Sequence, residues 1–175
     1  MRFTLIDRID HLEPGVSIRA VKSLSLAEEY LADHFPRFPV MPGVLMLEAM
    51  TQAGAWLVRA TEDFAHSMVV LKEAVNVKYS NFVAPGQTLT VTAEITSHDE
   101  RQTKLKAQGM VEGQPQFTGR LVLERFNLAD RGLGTPATDA VVTRQMRALY
   151  ALLYRCPATV QPEGRQPSDL HPAAS

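Results

Sequence analysis

The chain has 175 residues, 45% of them hydrophobic and 21% charged, and its 18 basic and 19 acidic side chains leave a formal net charge of −1. That length suits one domain with a real core, and the near-neutral balance leaves no basic field to hold a polyanion, which argues against nucleic acid as a partner. The single cysteine, Cys156, rules out an internal disulfide and fits a reducing compartment. Acids at Asp7 and Asp10 stand where a signal peptide would need its apolar stretch, and no apolar run approaches the roughly 20 residues of a membrane span. A cytoplasmic protein without membrane attachment is expected.

In chain order, Phe3 to Ile9 reads as a short β segment and Val16 to Leu24 as a returning strand, joined at the turn signal Glu13-Pro14-Gly15. Ala27 to Leu31 can make a helical turn. Asp33 to Pro42 is a loop, because Pro36, Pro39 and Pro42 forbid a regular helix or a central strand there. From Gly43 to about Arg59 the pattern is helical, with strong helix formers and no interior proline. Only Glu48, Thr51, Gln52 and Arg59 interrupt its apolar circumference, along one narrow stripe that reads as a solvated face. A helix this apolar belongs in the middle of a domain.

Four β segments follow, at 66–81, 87–97, 103–112 and 115–125, broken at Pro85-Gly86, His98-Asp99-Glu100 and Glu112-Gly113. Thr88 to Ala93 alternates strictly, as a half-buried antiparallel strand should. One central helix followed by a meander, with a hairpin in front, is an α+β arrangement. Residues 131–136 read as a linker. Thr138 to Tyr154 then carries Val142, Met146, Leu149, Leu152 and Leu153 at helical spacing, a stripe expected to dock on the core or on a neighbouring subunit. The last 20 residues hold four prolines among small and polar side chains and are expected to be a disordered tail. The chain therefore divides into a domain over 1–130 and an extension over 131–175.

Residues 33–53, DHFPRFPVMPGVLMLEAMTQA, carry the chemistry. His34 lies in a loop whose prolines limit its freedom, so an imidazole there can be held in place. Gly43 begins the helix, where the first amides have no internal partner and the helix dipole favours negative charge. With no side chain on Gly43, a ligand's carbonyl oxygen could approach those amides closely. Glu48 follows among apolar neighbours, surroundings that suit a carboxyl acting as a general acid. A base, an oxyanion site and an acid are what removal of water from a β-hydroxy thioester requires. Each feature alone also has a plain structural reading: an exposed loop histidine, a solvated stripe, a helix start signal.

The segment HFPRFPVMPGVLMLEAMTQA resembles the signature of β-hydroxyacyl-acyl-carrier-protein dehydratases of the FabZ type, roughly H-F-P-G-x-P-x-x-P-G-V-L-x-x-E-A-x-x-Q. His34, Phe35, Pro36, Pro39, Pro42, Gly43, Val44, Leu45, Glu48, Ala49 and Gln52 are in register, and the separation 48 − 34 = 14 is the family's. Leu5-Ile6-Asp7-Arg8, Asn76-Val77-Lys78-Tyr79 and Val83-Ala84-Pro85-Gly86 resemble further family segments, so the likeness covers about residues 2 to 127. It implies a hotdog fold, a central helix wrapped by a curved antiparallel sheet, here with a C-terminal helical extension. It also implies a homodimer or a higher oligomer of dimers, with the histidine and the acid of each site supplied by different subunits. His34 would take the α-proton, Glu48 of the second subunit would protonate the departing hydroxyl, and the Gly43 amide would hold the thioester oxygen. Val44 and Gln52 would join Gly43 in binding substrate, Gln52 by orienting Glu48. Met41, Met46 and Met50 are candidates to line an acyl tunnel, with core packing as the alternative. No metal and no cofactor are expected.

Three departures bear on this. Arg37 replaces the glycine after H-F-P, Ser80-Asn81 replaces a basic pair associated with carrier-protein docking, and Phe82 replaces a proline. The expected substrate is accordingly an acyl thioester on acyl carrier protein or on coenzyme A. A hotdog thioesterase and a non-catalytic acyl-thioester binding protein are the alternatives, the first disfavoured by the retention of His34 and the second by that of His34 and Glu48 together.

Overall fold

The run of apolar helix formers after Pro42 becomes α1, Gly43–Thr61, in the computed structural model of the chain, which describes residues 3–154. Six strands surround it: β1 (Arg8–Glu13), β2 (Ser17–Ser23), β3 (Met68–Tyr79), β4 (Thr88–His98), β5 (Gln102–Val111) and β6 (Gln114–Phe126). They form one sheet in the order β1-β2-β4-β5-β6-β3, and every pairing is antiparallel. α1 packs against β2, β3, β4, β5 and β6, so a single helix receives the inner face of nearly the whole sheet. This is the expected α+β hotdog arrangement.

A sheet can wrap a helix only if it bends. Bulges do this work in β3, between Leu71 and Glu73 and again between Val75 and Lys78, and in β4 between Ile95 and Ser97. Asn76, inside the second β3 bulge, has φ of 54°, a left-handed conformation that Asn tolerates better than most residues. Within the sheet, the large ring of Phe117 needs a small residue at its cross-strand partner. A Cβ on Gly109 of β5 would fall 2.2 Å from Cζ of the fully buried Phe117, so only glycine leaves room for that ring. The β5–β6 turn has positive φ at both Glu112 and Gly113, the signature of a type I′ hairpin.

The first strand differs from the sequence expectation. Residues 3–7 lie outside the sheet, and β1 runs over Arg8–Glu13. The cause is α1: the amide of Leu5 donates to Gln52 Oε1 at 2.8 Å, and Gln52 Nε2 donates to the carbonyl of Phe3. A side chain on the central helix thus takes the backbone groups that a longer strand would have used, while Leu5 and Ile6 are buried. The polar stripe on α1 is not a solvated face either. Thr51 and Arg59 are both buried, because the sheet and the extension enclose that side of the helix. Met41, Met46 and Met50 belong to the core.

Residues 136–153 form α2, Pro136–Leu153, starting two residues before the sequence expectation. Thr135 caps it in a reciprocal box with Thr138, and Pro136 occupies the first turn. Asp139 fastens the helix start: its carboxylate accepts from the amides of Leu128 at 2.8 Å and Ala129 at 3.1 Å and from the Ser67 hydroxyl. Further along, Tyr150 packs on Trp56 and Phe64 with ring centroids 6.1 and 5.4 Å apart. Met146 and Leu149 pack against the core and Leu153 is buried within it, whereas Leu152 faces outward. The expected disordered tail lies outside the described residues.

Gly109→Ala should cost about 1–3 kcal/mol through overpacking, read as a lower melting temperature with the oligomeric state unchanged; an unaltered melt would contradict the tight Gly109–Phe117 contact. A second test uses pH. The Ser67 hydroxyl, with the Ala129 and Leu128 amides, holds the Asp139 carboxyl below its ordinary value. Its contribution is therefore present at neutral pH and is lost as pH falls through the lowered folded-state value. Asp139→Asn should lower the melting temperature at neutral pH, and the gap from wild type should close on acidification. A gap independent of pH would show that the ionised carboxylate does not tether α2.

Candidate active site

The loop before α1 is braced at several points. The amide of Val40 donates to the carbonyl of His34 at 3.0 Å, Phe35 and Phe38 exchange backbone bonds, and the amide of Met41 donates to Val83 at 2.8 Å. These contacts hold His34, which is half-buried, with its ring stacked on Phe35 at a centroid distance of 4.3 Å. Nδ1 of His34 lies 3.1 Å from the carbonyl oxygen of Val40. A carbonyl only accepts, so Nδ1 carries the proton, and in the neutral ring Nε2 is the nitrogen with the free lone pair. Arg37 is exposed and does not adopt a left-handed conformation, so this loop shape does not demand the family's glycine.

α1 begins directly after this loop. The amides of Leu45 and Met46 both donate to the Pro42 carbonyl, while those of Gly43 and Val44 have no partner among the described residues. Two free amides at the positive end of a long helix can receive an oxygen that gains negative charge. Tyr79, at the end of β3, lies over this point: a Cβ on Gly43 would be 3.2 Å from its ring. Partial burial raises the Tyr79 phenol above its ordinary value, so it is a neutral hydroxyl at physiological pH. Val44 points outward and is 70% exposed.

Glu48 is half-buried, one turn further along α1. Its Oε1 accepts from Gln52 Nε2 at 2.9 Å. Gln52 is itself fixed by the Leu5 amide and the Phe3 carbonyl, so the N-terminal segment indirectly sets the orientation of the Glu48 carboxyl. The structure thus joins Glu48 to Gln52, and His34 to the helix start, but among the described residues no hydrogen bond links His34 with Glu48 inside one chain. The backbone partners of His34 and Gln52 escape sequence reading, since a carbonyl or amide carries no residue-type signal. Tyr79 was within a matched segment, but its place over Gly43 depends on the β3 bulge.

Around His34 and Gly43 the surface is apolar. Phe35, Phe38, Val44, Tyr79 and Phe82 are all about half exposed or more, and Phe38 meets Phe82 edge-on with centroids 5.7 Å apart. Phe82, the residue standing for the family's proline, therefore belongs to this patch. No group of three or more His, Cys, Asp or Glu side chains among the described residues could hold a metal ion. No described helix is long and apolar enough to cross a membrane.

Residues 1–124 match the family described as FabA-like domain. The 3-hydroxyacyl-[acyl-carrier-protein] dehydratase FabZ of Ruminiclostridium cellulolyticum is 38% identical over 119 residues, covering 68% of this chain and 84% of the relative. The protein of the same name from Caldicellulosiruptor saccharolyticus is 35% identical over 120 residues, covering 69% and 86%. Among solved structures, the dehydratase heterocomplex ApeI:P from Xenorhabdus doucetiae superposes with a TM-score of 0.60 at 18% identity, over 71% of this chain and 84% of that one, a likeness of fold. The chain belongs to the FabA-like family, among the relatives named FabZ 3-hydroxyacyl-[acyl-carrier-protein] dehydratase.

Proposed function

We propose that the chain is a hydro-lyase that converts 3-hydroxyacyl thioesters to trans-2-enoyl thioesters and water, in fatty-acid or related lipid biosynthesis. The observation that carries this reading is the fixed tautomer of His34, with Nε2 free as a base in the loop that leads into the amides of Gly43 and Val44. His34 Nε2 takes the α-proton of the substrate. Negative charge then develops on the thioester oxygen, which the Gly43 and Val44 amides stabilise. As the enolate re-forms the carbonyl, the α–β double bond forms and the β-hydroxyl leaves as water with a proton from Glu48. Gln52 holds Glu48 in the orientation this transfer needs.

The acting form in this proposal is a homodimer, or an oligomer of dimers, in which His34 of one subunit works with Glu48 of the other. Two features support it. β3 is an edge strand of 12 residues, exposed over much of its length, with unpaired backbone groups on one side. The aromatic patch around His34 is a surface that a second copy would cover. The carrier is acyl carrier protein, as in the names of the relatives, with coenzyme A as the other thioester to assay. The proposed location is the cytoplasm.

Purified protein should release enoyl thioester from 3-hydroxyacyl thioesters. His34→Ala and Glu48→Gln should each lower turnover by at least about a hundredfold, the scale of a positioned acid or base. Gln52→Leu should lower kcat by about tenfold, the scale of one lost hydrogen bond that orients the acid. Near-wild-type rates in a folded His34→Ala or Glu48→Gln variant would overturn the assignment.

A further inference from the structure

The C-terminal extension does more than cover apolar surface. Where α2 crosses α1 it leaves a pocket of about 360 Å³, within the usual size range of small-molecule sites. Trp56 and Ala55 of α1 and Met146 and Leu149 of α2 give it apolar walls, and Gln52, Arg59 and Gln145 add polar ones.

Arg59 sets the character of this pocket. It is only 8% exposed, yet no Asp or Glu among the described residues forms an ion pair with it. Nη1 donates to the carbonyls of His66 at 3.3 Å and Ser67 at 3.1 Å, which fastens the α1–β3 connection. That structural role uses one nitrogen. Nε and Nη2 have no hydrogen-bond partner among the described residues, although a guanidinium carries N–H donors on all three nitrogens. Burial pushes the Arg59 pKa down to about 10, still well above neutral, so the group remains a cation. The C-terminal end of α1 offers it only partial negative charge. The free nitrogens are not sealed in packed protein but face the open pocket, so a ligand anion there would give this cation the counter-ion it lacks and fill the free donor positions.

We infer that the α1–α2 pocket is a binding site for an amphipathic carboxylate, a short to medium fatty acid, with Arg59 recognising the carboxylate and Trp56, Met146 and Leu149 holding the chain. Gln145, exposed at the rim, supplies a further donor, whereas both N–H groups of Gln52 are already committed to the Phe3 carbonyl and to Glu48. Gln52 also bonds Glu48, so an occupant of the pocket touches the side chain that orients the proposed catalytic acid. The site stands on the pocket and on Arg59, and it does not depend on the dehydratase reading.

Trp56 is the single tryptophan of the chain, so intrinsic fluorescence reports directly on the pocket wall. Full-length protein is titrated with octanoate and, separately, with octan-1-ol, which has the same tail without the charge. Octanoate should give a saturable change and bind at least about tenfold more tightly than octan-1-ol, as a charge-assisted contact to arginine requires. Arg59→Gln should remove that preference. Because Arg59 is buried and its loss could unfold the chain, Gln145→Glu is the second variant: it places a negative charge at an exposed rim position. It should weaken octanoate binding by several-fold and leave octan-1-ol unchanged. No saturable response to octanoate, equal affinity for the two probes, or an unchanged preference in Gln145→Glu would each overturn the site.

Discussion

Enclosing α1 on nearly every side is the constraint from which the rest of this structure follows. A helix without a solvated face must find partners inside the protein for each polar side chain it carries. Each of the four does so differently. Thr51 donates back to the Leu47 carbonyl, Gln52 binds the N-terminal segment, Arg59 fastens the connection to β3, and Glu48 leans on Gln52. Enclosure also dictates the sheet, which must bend at its bulges to close around the helix. A helix held this rigidly presents its first amides at a fixed point, a condition for stabilising charge that appears only during reaction.

Two branches of polar contacts leave α1. One runs through Gln52 to Glu48 in one direction and to the Phe3–Leu5 backbone in the other, tying the proposed acid to a segment remote in sequence. The other runs through the connection after α1: Arg59 holds Ser67, whose hydroxyl bonds Asp139 at the start of α2. The extension is thus anchored at one end by hydrogen bonds and along its length by Tyr150, Met146 and Leu149. Between the two branches lies the pocket that holds the free side of Arg59.

Much of this was legible in the sequence because it rests on periodicity and on turn residues. The prolines before Gly43 and the apolar run after it located α1, and the strict alternation at Thr88 to Ala93 located β4. The stripe in α2 was visible for the same reason. What was misread depended on long-range pairing. Residues 3–7 have a strand-like pattern, but Gln52 takes the Leu5 amide, and no local rule reveals a partner 47 positions away. Arg59 was assigned to a solvated stripe because composition cannot show that α2 and β3 enclose it. His34, Glu48, Gly43 and Gln52 stood out because the segment that holds them resembles the family's signature. The Val40 carbonyl that sets the His34 tautomer is backbone, and only the folded loop brings it within reach.

The claim on which this account turns is that His34 and Glu48 act across two subunits. Mixing His34→Ala with Glu48→Gln and allowing the subunits to exchange tests it most directly. Each mixed dimer would hold one site with both residues intact, so activity should rise from the floor of either variant to about a quarter of wild type at full exchange. Exchange verified by a size or mass tag, with no recovery of dehydration, would contradict a site built from two chains.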